Sequence, residues 1–329
     1  MNTFINFAIL TLTFSLTPSL LFSQCDPLEK ARPLFNSGER EKGLAIAQCH
    51  SEKGDLDATQ LYSDLLWSAN RTEESRGAAK TAILTPDKVD FSSQVRLSKR
   101  IRRWVLSEKV DVVTTSISDG FEAKLASKYN YYEKNSIELE YKHVKRTFVG
   151  NLTLTDNALE LRHTLPITSR VYLESGIFHS FTSVFLPKLF VALSPHISLS
   201  DDSDVWMEAR YSYYKPWTTA YLFSLSGIKP LSENWGIEGR TYYTLINSKW
   251  LFSGLVAVYV YPLPRLKLKA GFSFGKAVED PNRIAVFKDY QFSLSYYLFP
   301  NFSINPEVEF YRSSIRTENR FGLRAELAL

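Results

Sequence analysis

Two periodicities divide the chain. Between about residues 26 and 106, apolar side chains return at helical spacing. From about 108 to the end they alternate with polar ones, residue by residue. The first part predicts helices over 26–36, 40–49, 58–69, 73–84 and about 89–106. Ser37-Gly38 and Gly54-Asp55 turn the chain, and Pro86 closes the second hairpin. Ala31, Leu34 and Phe35 share one face of the first helix. Leu61, Leu65 and Leu66 share one face of the third.

The alternation in the second part is long and regular. Val205, Met207, Ala209 and Tyr211 alternate with Trp206, Glu208, Arg210 and Ser212. Leu266, Leu268, Ala270 and Phe272 alternate with Lys267, Lys269 and Ser273. Val308 and Phe310 sit between Glu307, Glu309 and Tyr311. Strands of roughly 10 residues at this spacing suit an antiparallel up-and-down barrel. Short turns recur, as at Leu165-Pro166, Leu199-Ser200, Leu231-Ser232, Leu263-Pro264 and Phe299-Pro300. Between them lie more variable connections, at 147–150, 179–187, 214–217, 246–249, 276–286 and 313–319, of which 179–187 and 276–286 read as long. With a first strand at about 110–117, the segments add up to roughly 14 strands, or 12 if the first hairpin is not part of the wall. An even number puts both ends of the barrel on the side of the short turns.

Composition then decides which solvent the apolar alternate meets. Of 329 residues, 18 are Tyr and 22 are Phe, yet the mean hydropathy is −0.17. A transmembrane barrel produces this pairing, because each lipid-facing residue alternates with a polar one facing inward. Transmembrane helices would need apolar runs of about 20 residues, and none follows the N-terminus. A soluble sandwich or lipocalin-like barrel would reverse the two faces, and alternation alone does not distinguish it. The expectation is therefore an all-β transmembrane antiparallel barrel behind a small N-terminal α-helical domain. Residues 1–23 read as a signal peptide, with an apolar core at 7–14 and no Lys or Arg before it. An uncleaved membrane helix and lipidation at Cys25 are the alternatives. The division expected is 1–23 signal, 24–107 periplasmic helical domain and 108–329 outer-membrane barrel.

Cys25 and Cys49 are the only cysteines. Cys25 precedes the first helix and Cys49 ends its antiparallel partner, so the hairpin brings them together. An oxidising periplasm permits a disulfide there, with two buried thiols as the alternative. The bridge would contribute roughly 3 kcal/mol in the chain-entropy model. The last segment, Phe321-Gly-Leu323-Arg-Ala325-Glu-Leu327-Ala-Leu329, alternates to an apolar end of the kind that barrel-assembly machinery reads. Outer-membrane lipid and that machinery are the expected partners, and the helical domain suits a periplasmic protein partner.

Trp67-Ser-Ala-Asn-Arg-Thr-Glu-Glu-Ser-Arg-Gly-Ala-Ala followed by Pro86 resembles a tetratricopeptide repeat, with Ser75 where the repeat prefers Ala. Helical hairpins followed by this barrel resemble the YaiO family of outer-membrane β-barrel proteins. The best carriers are 65–75 and the run from Asp204-Val-Trp-Met-Glu-Ala-Arg-Tyr to Phe321-Gly-Leu-Arg-Ala-Glu-Leu. The resemblance implies an outer-membrane location and a barrel carrying a repeat domain, and supplies no molecular activity. Export porins for exopolysaccharides share the order of repeats then barrel.

If lipid meets the apolar alternate, the lumen is charged. It then carries Glu138, Glu140, Glu160, Arg162, Glu208, Arg210, Glu238, Arg240, Lys267, Lys269, Glu307, Glu309, Arg324 and Glu326. Glu-x-Arg recurs at 160/162, 208/210 and 238/240, and reversed at 324/326, which sets opposite charges side by side on one strand face. Three readings follow: an ion-paired, plugged interior, a polar conduit, and acid/base catalysis as in an outer-membrane hydrolase. The four His residues of the barrel, at 143, 163, 179 and 196, fall in separate segments without catalytic or metal spacing. The chain therefore reads as a non-enzyme without metal or cofactor, and its net charge of +4 is too diffuse for nucleic acid.

Overall fold

The computed structural model describes residues 25–69, 71–83, 102–132, 135–168, 170–200, 203–214, 218–232, 234–280 and 283–329. The expected signal peptide and most of the helix at 89–106 lie outside them.

Among the described residues four α-helices come first: α1 Ala31–Asn36, α2 Arg40–Glu52, α3 Leu56–Ser68 and α4 Thr72–Ile83. Gly38 and Gly54 end α1 and α2 in the left-handed region, at φ 102° and 84°, where an L side chain would be strained. Asp55 caps α3 by accepting the Ala58 N–H at 3.1 Å. Ala31, Phe35, Leu44, Ala47, Leu65 and Leu66 form the shared core. Cys25 and Cys49 are joined by a disulfide, with Cα atoms 6.0 Å apart. Ser75 is fully buried. Its hydroxyl donates to the Ser63 carbonyl at 2.8 Å, so the polar atom is satisfied inside the α3/α4 interface.

Fourteen strands follow, and every one is antiparallel to its neighbours: β1 Trp104–Thr115, β2 Ser118–Tyr132, β3 Asn135–Phe148, β4 Thr153–Pro166, β5 Val171–Ser180, β6 Leu189–Ser200, β7 Ser203–Tyr214, β8 Thr218–Ser232, β9 Trp235–Ile246, β10 Lys249–Leu263, β11 Leu266–Asp280, β12 Arg283–Phe299, β13 Phe302–Ser313 and β14 Thr317–Ala328. Each pairs with the next in sequence, and β14 returns to pair with β1, closing the barrel. Closure leaves no sheet edge, the condition under which a sheet can stand in lipid with its backbone groups satisfied.

The wall departs from expectation in three places. β1 begins at Trp104 rather than about 110, upstream of the expected boundary at 108, because Trp104 and Leu106 already alternate outward against Val105 and Ser107. The connection expected over 276–286 shrinks to 281–282, since β11 and β12 extend through it. Thr317–Glu318, expected in a loop, begin β14. A barrel wall keeps pairing wherever a partner strand continues, whatever the local propensity.

The apolar alternate faces out. Leu125, Met207, Val256 and Leu323 are each more than half exposed, at 58, 54, 58 and 54 %, a surface that only lipid can cover. Trp104, Tyr129 and Tyr131 cluster at the short-turn rim, with ring centroids 4.8 Å apart in each successive pair. Trp250 stands at the opposite rim. Rings at both ends match the interfacial girdles of membrane barrels. Glu73 and Arg76 of α4 reach Arg103 and the Asn130 carbonyl beside the Trp104 rim. The helices therefore meet the end of the barrel where Leu329 also pairs with Trp104.

Candidate functional site: the charged lumen

The two-residue period that turns apolar side chains outward turns the charged ones inward. Glu160–Arg162 on β4, Glu208–Arg210 on β7 and Glu238–Arg240 on β9 are ion pairs within one strand. The latter two close at 2.6 and 3.3 Å. Lys269 of β11 adds a second cation to Glu238 at 2.6 Å. Glu138 and Glu140 on β3 stand opposite Arg162 and Glu160. Lys267 lies over the Tyr259 ring, 4.6 Å from its centroid. Glu307 holds Lys109 at 2.5 Å and Arg324 at 3.7 Å. Glu326 lies between Ser107 and Ser303 near the short-turn end.

The densest group contains, besides Glu309, none of the lumen charges expected from the sequence. Arg320 of β14 reaches Glu122 and Glu318 at 3.0 Å, and Asp111 and Glu309 at 3.7 Å. Arg146 of β3 closes on Glu122 at 2.6 Å, and Lys109 on Asp111 at 3.4 Å. Strands β1, β2, β3, β13 and β14 thus pool six acids and bases around one guanidinium. Only Glu309 of this set was expected to matter, although Glu318-Asn-Arg320 repeats the Glu-x-Arg signal. Assigning 313–319 to a loop hid it. Asp111 sits in the apolar run Val110-Asp-Val-Val, where no alternation marks it. Gly322 makes room for it: a Cβ there would collide with the Asp111 carboxylate.

Two cavities adjoin this cluster. One of about 160 Å³ is bordered by Asp111, Lys269, Glu307, Glu309 and Arg320. The other, of about 310 Å³, is bordered by Asp289, Glu309, Tyr311, Arg316, Glu318 and Arg320. Glu309 and Arg320 belong to both, so the two follow one another along the β9–β14 side of the lumen. Opposite them the wall carries a stacked row. Tyr172 lies 4.4 Å from His196, His196 5.5 Å from Trp206, and Arg240 covers the far face of Trp206 at 5.4 Å. Among the described residues no group of His, Cys, Asp and Glu has metal-holding geometry.

No protein-family model matches the chain, and no curated protein matches it either. Solved structures do. A Pseudomonas aeruginosa FadL homologue aligns with TM-score 0.50 and 8% identity, over 72% of this chain and 94% of its own. The Acinetobacter baumannii outer membrane protein Omp33 aligns with TM-score 0.46 and 12% identity, over 69% of this chain and 98% of its own. The Pseudomonas putida toluene transporter TodX aligns with TM-score 0.43 and 9% identity, over 68% and 88%. The fold is that of bacterial outer-membrane barrels. With its apolar exterior and aromatic rims, this barrel belongs in that membrane.

Proposed function

We propose that the barrel is a channel for small polar or charged solutes. We further propose that its helical domain acts in the periplasm as the partner-binding part of an envelope-assembly or surface-polysaccharide export system. The observation that carries the channel reading is the pair of successive cavities sharing Arg320 and Glu309. Charge of both signs lines that side of the lumen, and polar groups there keep solutes hydrated as they pass. The accessory role rests on the order of helical hairpins then barrel, which resembles the YaiO family and, in architecture, export porins. Helix hairpins of this kind commonly present a binding face. Outer-membrane lipid and barrel-assembly machinery complete the partners.

A structural or adhesin-type barrel with a plugged lumen is the second reading. The near-complete burial of Asp111 and Glu122, at 1 and 5 % exposure, favours it. Hydrolase chemistry has less support, since no nucleophile, base and orienting acid converge among the contacts of the described residues.

The deciding test is conductance of the purified full chain in planar bilayers under a salt gradient. Discrete steps support the channel. Arg320→Ala should then move the reversal potential toward cation selectivity, because it removes the cation that Asp111, Glu122, Glu309 and Glu318 share. A folded barrel that passes no current at any applied voltage overturns the channel reading in favour of the plugged one.

A further inference from the structure

The connection between β5 and β6, residues 181–188, is the longest on its side of the barrel, and it does not stand clear of the rim. It folds back across the inner wall. Leu186 packs against Ala158, Phe178 and Phe190, all on the inward faces of β4, β5 and β6. Phe185 stacks on Phe148 at the end of β3, with centroids 6.1 Å apart and planes 25° from parallel. The segment therefore crosses the inside of β4 to reach β3.

What holds it there is one carboxylate. Asp156 faces inward from β4 and is fully buried. Its Oδ1 accepts the Thr182 hydroxyl and the Val184 N–H, both at 2.7 Å. Its Oδ2 accepts the Phe185 N–H at 2.6 Å and the Leu186 N–H at 2.9 Å. Three successive backbone N–H groups converging on an anion form a nest. Ser183, at φ 58°, supplies the left-handed bend that turns them inward. Hydrogen bonds to a charged acceptor are the stronger kind, and a buried carboxylate without them would be costly. Nothing in the charged cluster on the other wall requires this arrangement. Among the described residues Asp156 pairs with no cation, and its side-chain hydrogen bonds all go to the segment.

We propose that residues 181–188 form the constriction of the conduit, and that Asp156 is the positioning residue that holds this constriction in. The segment fills the β3–β6 side of the outer mouth and leaves passage along β9–β14, where the two cavities lie. Solutes then pass between an apolar flank at Phe185 and Leu186 and the charged flank at Glu309, Arg316 and Arg320. This inference rests on the channel reading.

Asp156→Asn tests it, since the variant keeps the shape but replaces one accepting oxygen with an N–H donor aimed at N–H groups. Thr182→Val is the milder second variant, removing one bond. A heat-dependent gel shift establishes that each barrel is folded. Two readouts are then taken on full-length protein. One is single-channel conductance. The other is the rate at which a membrane-impermeant maleimide labels Phe185→Cys, the native cysteines being oxidised to each other. Asp156→Asn should raise conductance and raise labelling about tenfold or more. A tenfold change corresponds to about 1.4 kcal/mol, close to the low end for one hydrogen bond to a charged group. Thr182→Val should move both in the same direction by less. Conductance that stays at the wild-type value in Asp156→Asn, with or without faster labelling, overturns this inference and leaves the channel intact. Absence of current from every form overturns the channel reading, and this inference with it.

Discussion

At the scale of single residues, the lumen is a problem of placing charge where little water reaches. Asp111 is tolerable because Lys109 and Arg320 flank it at 3.4 and 3.7 Å, and because Gly322 leaves it space. Burying such a group alone would be strongly unfavourable, while the pairs themselves contribute little net stability. Gly322→Ala should therefore push the Asp111 carboxylate off its partners. The expected cost is about 1–3 kcal/mol, as for other overpacked sites. It would be read as a lower temperature at which the folded band on an unheated gel converts to the unfolded one. An unchanged transition would mean that Asp111 can move aside without losing its cations. The inward-facing acids and bases on β4, β7, β9, β11 and β13 could be identified from alternation, since Glu208 and Arg210 flank an outward Ala209. Asp111 could not, and although Glu122 and Arg320 alternate with apolar or small neighbours, nothing local says that these three meet. Their importance comes from cross-barrel distance, and no spacing along one strand encodes which strands will face each other.

At the scale of elements, the helices and the strands are held by different means. Helix α1 has only 6 residues, and Cys25–Cys49 ties the chain before it to α2. A cross-link of this kind acts mainly by restricting the unfolded chain. Reducing it, or replacing both cysteines with Ser, should destabilise the helical hairpins by roughly 3 kcal/mol on the chain-entropy model, with the barrel left intact. Limited proteolysis of the full chain under reducing and oxidising conditions would check this. Cleavage confined to the first hundred residues, with faster onset after reduction, is the expected pattern. Equal rates would show that the core around Phe35, Leu44 and Leu66 suffices without the bridge. Helix positions were readable because Gly38, Gly54 and Asp55 punctuate them with definite backbone chemistry. Strand ends were read less well. Val278–Asp280 and Arg283–Ile284 look like loop in isolation, and they are strand because β11 and β12 pair through them. Glu108 is the charged exception on the outward face of β1, close to the short-turn end.

At the scale of the molecule, an exterior of exposed apolar side chains and a closed ladder require a membrane. The chain should fractionate with outer membranes, resist extraction by salt or carbonate, and migrate faster on SDS gels when unheated. Recovery as a soluble protein without a heat shift would overturn the membrane assignment and reverse every inside and outside described above. With an even strand number, both barrel ends emerge on one side, beside the helices. That side carries the short turns, while the inward-folded β5–β6 segment lies at the other mouth. The molecule therefore has two chemically different ends: one meets the helices, and the other carries the inward-folded β5–β6 segment.

The sequence by itself determined the order of helices then strands and the even, barrel-forming number of strands. It also determined the sorting of apolar and charged residues to opposite faces. Each of these follows from periodicity, which is a property of neighbours along the chain. Only the tertiary structure decided which charges meet around Arg320, where the cavities run and which connection enters the lumen. Those depend on closing β14 onto β1 and on one segment folding in to Asp156 and crossing β4 to reach β3. Contacts between residues far apart in the chain are set by closure and register, and no local pattern carries that information.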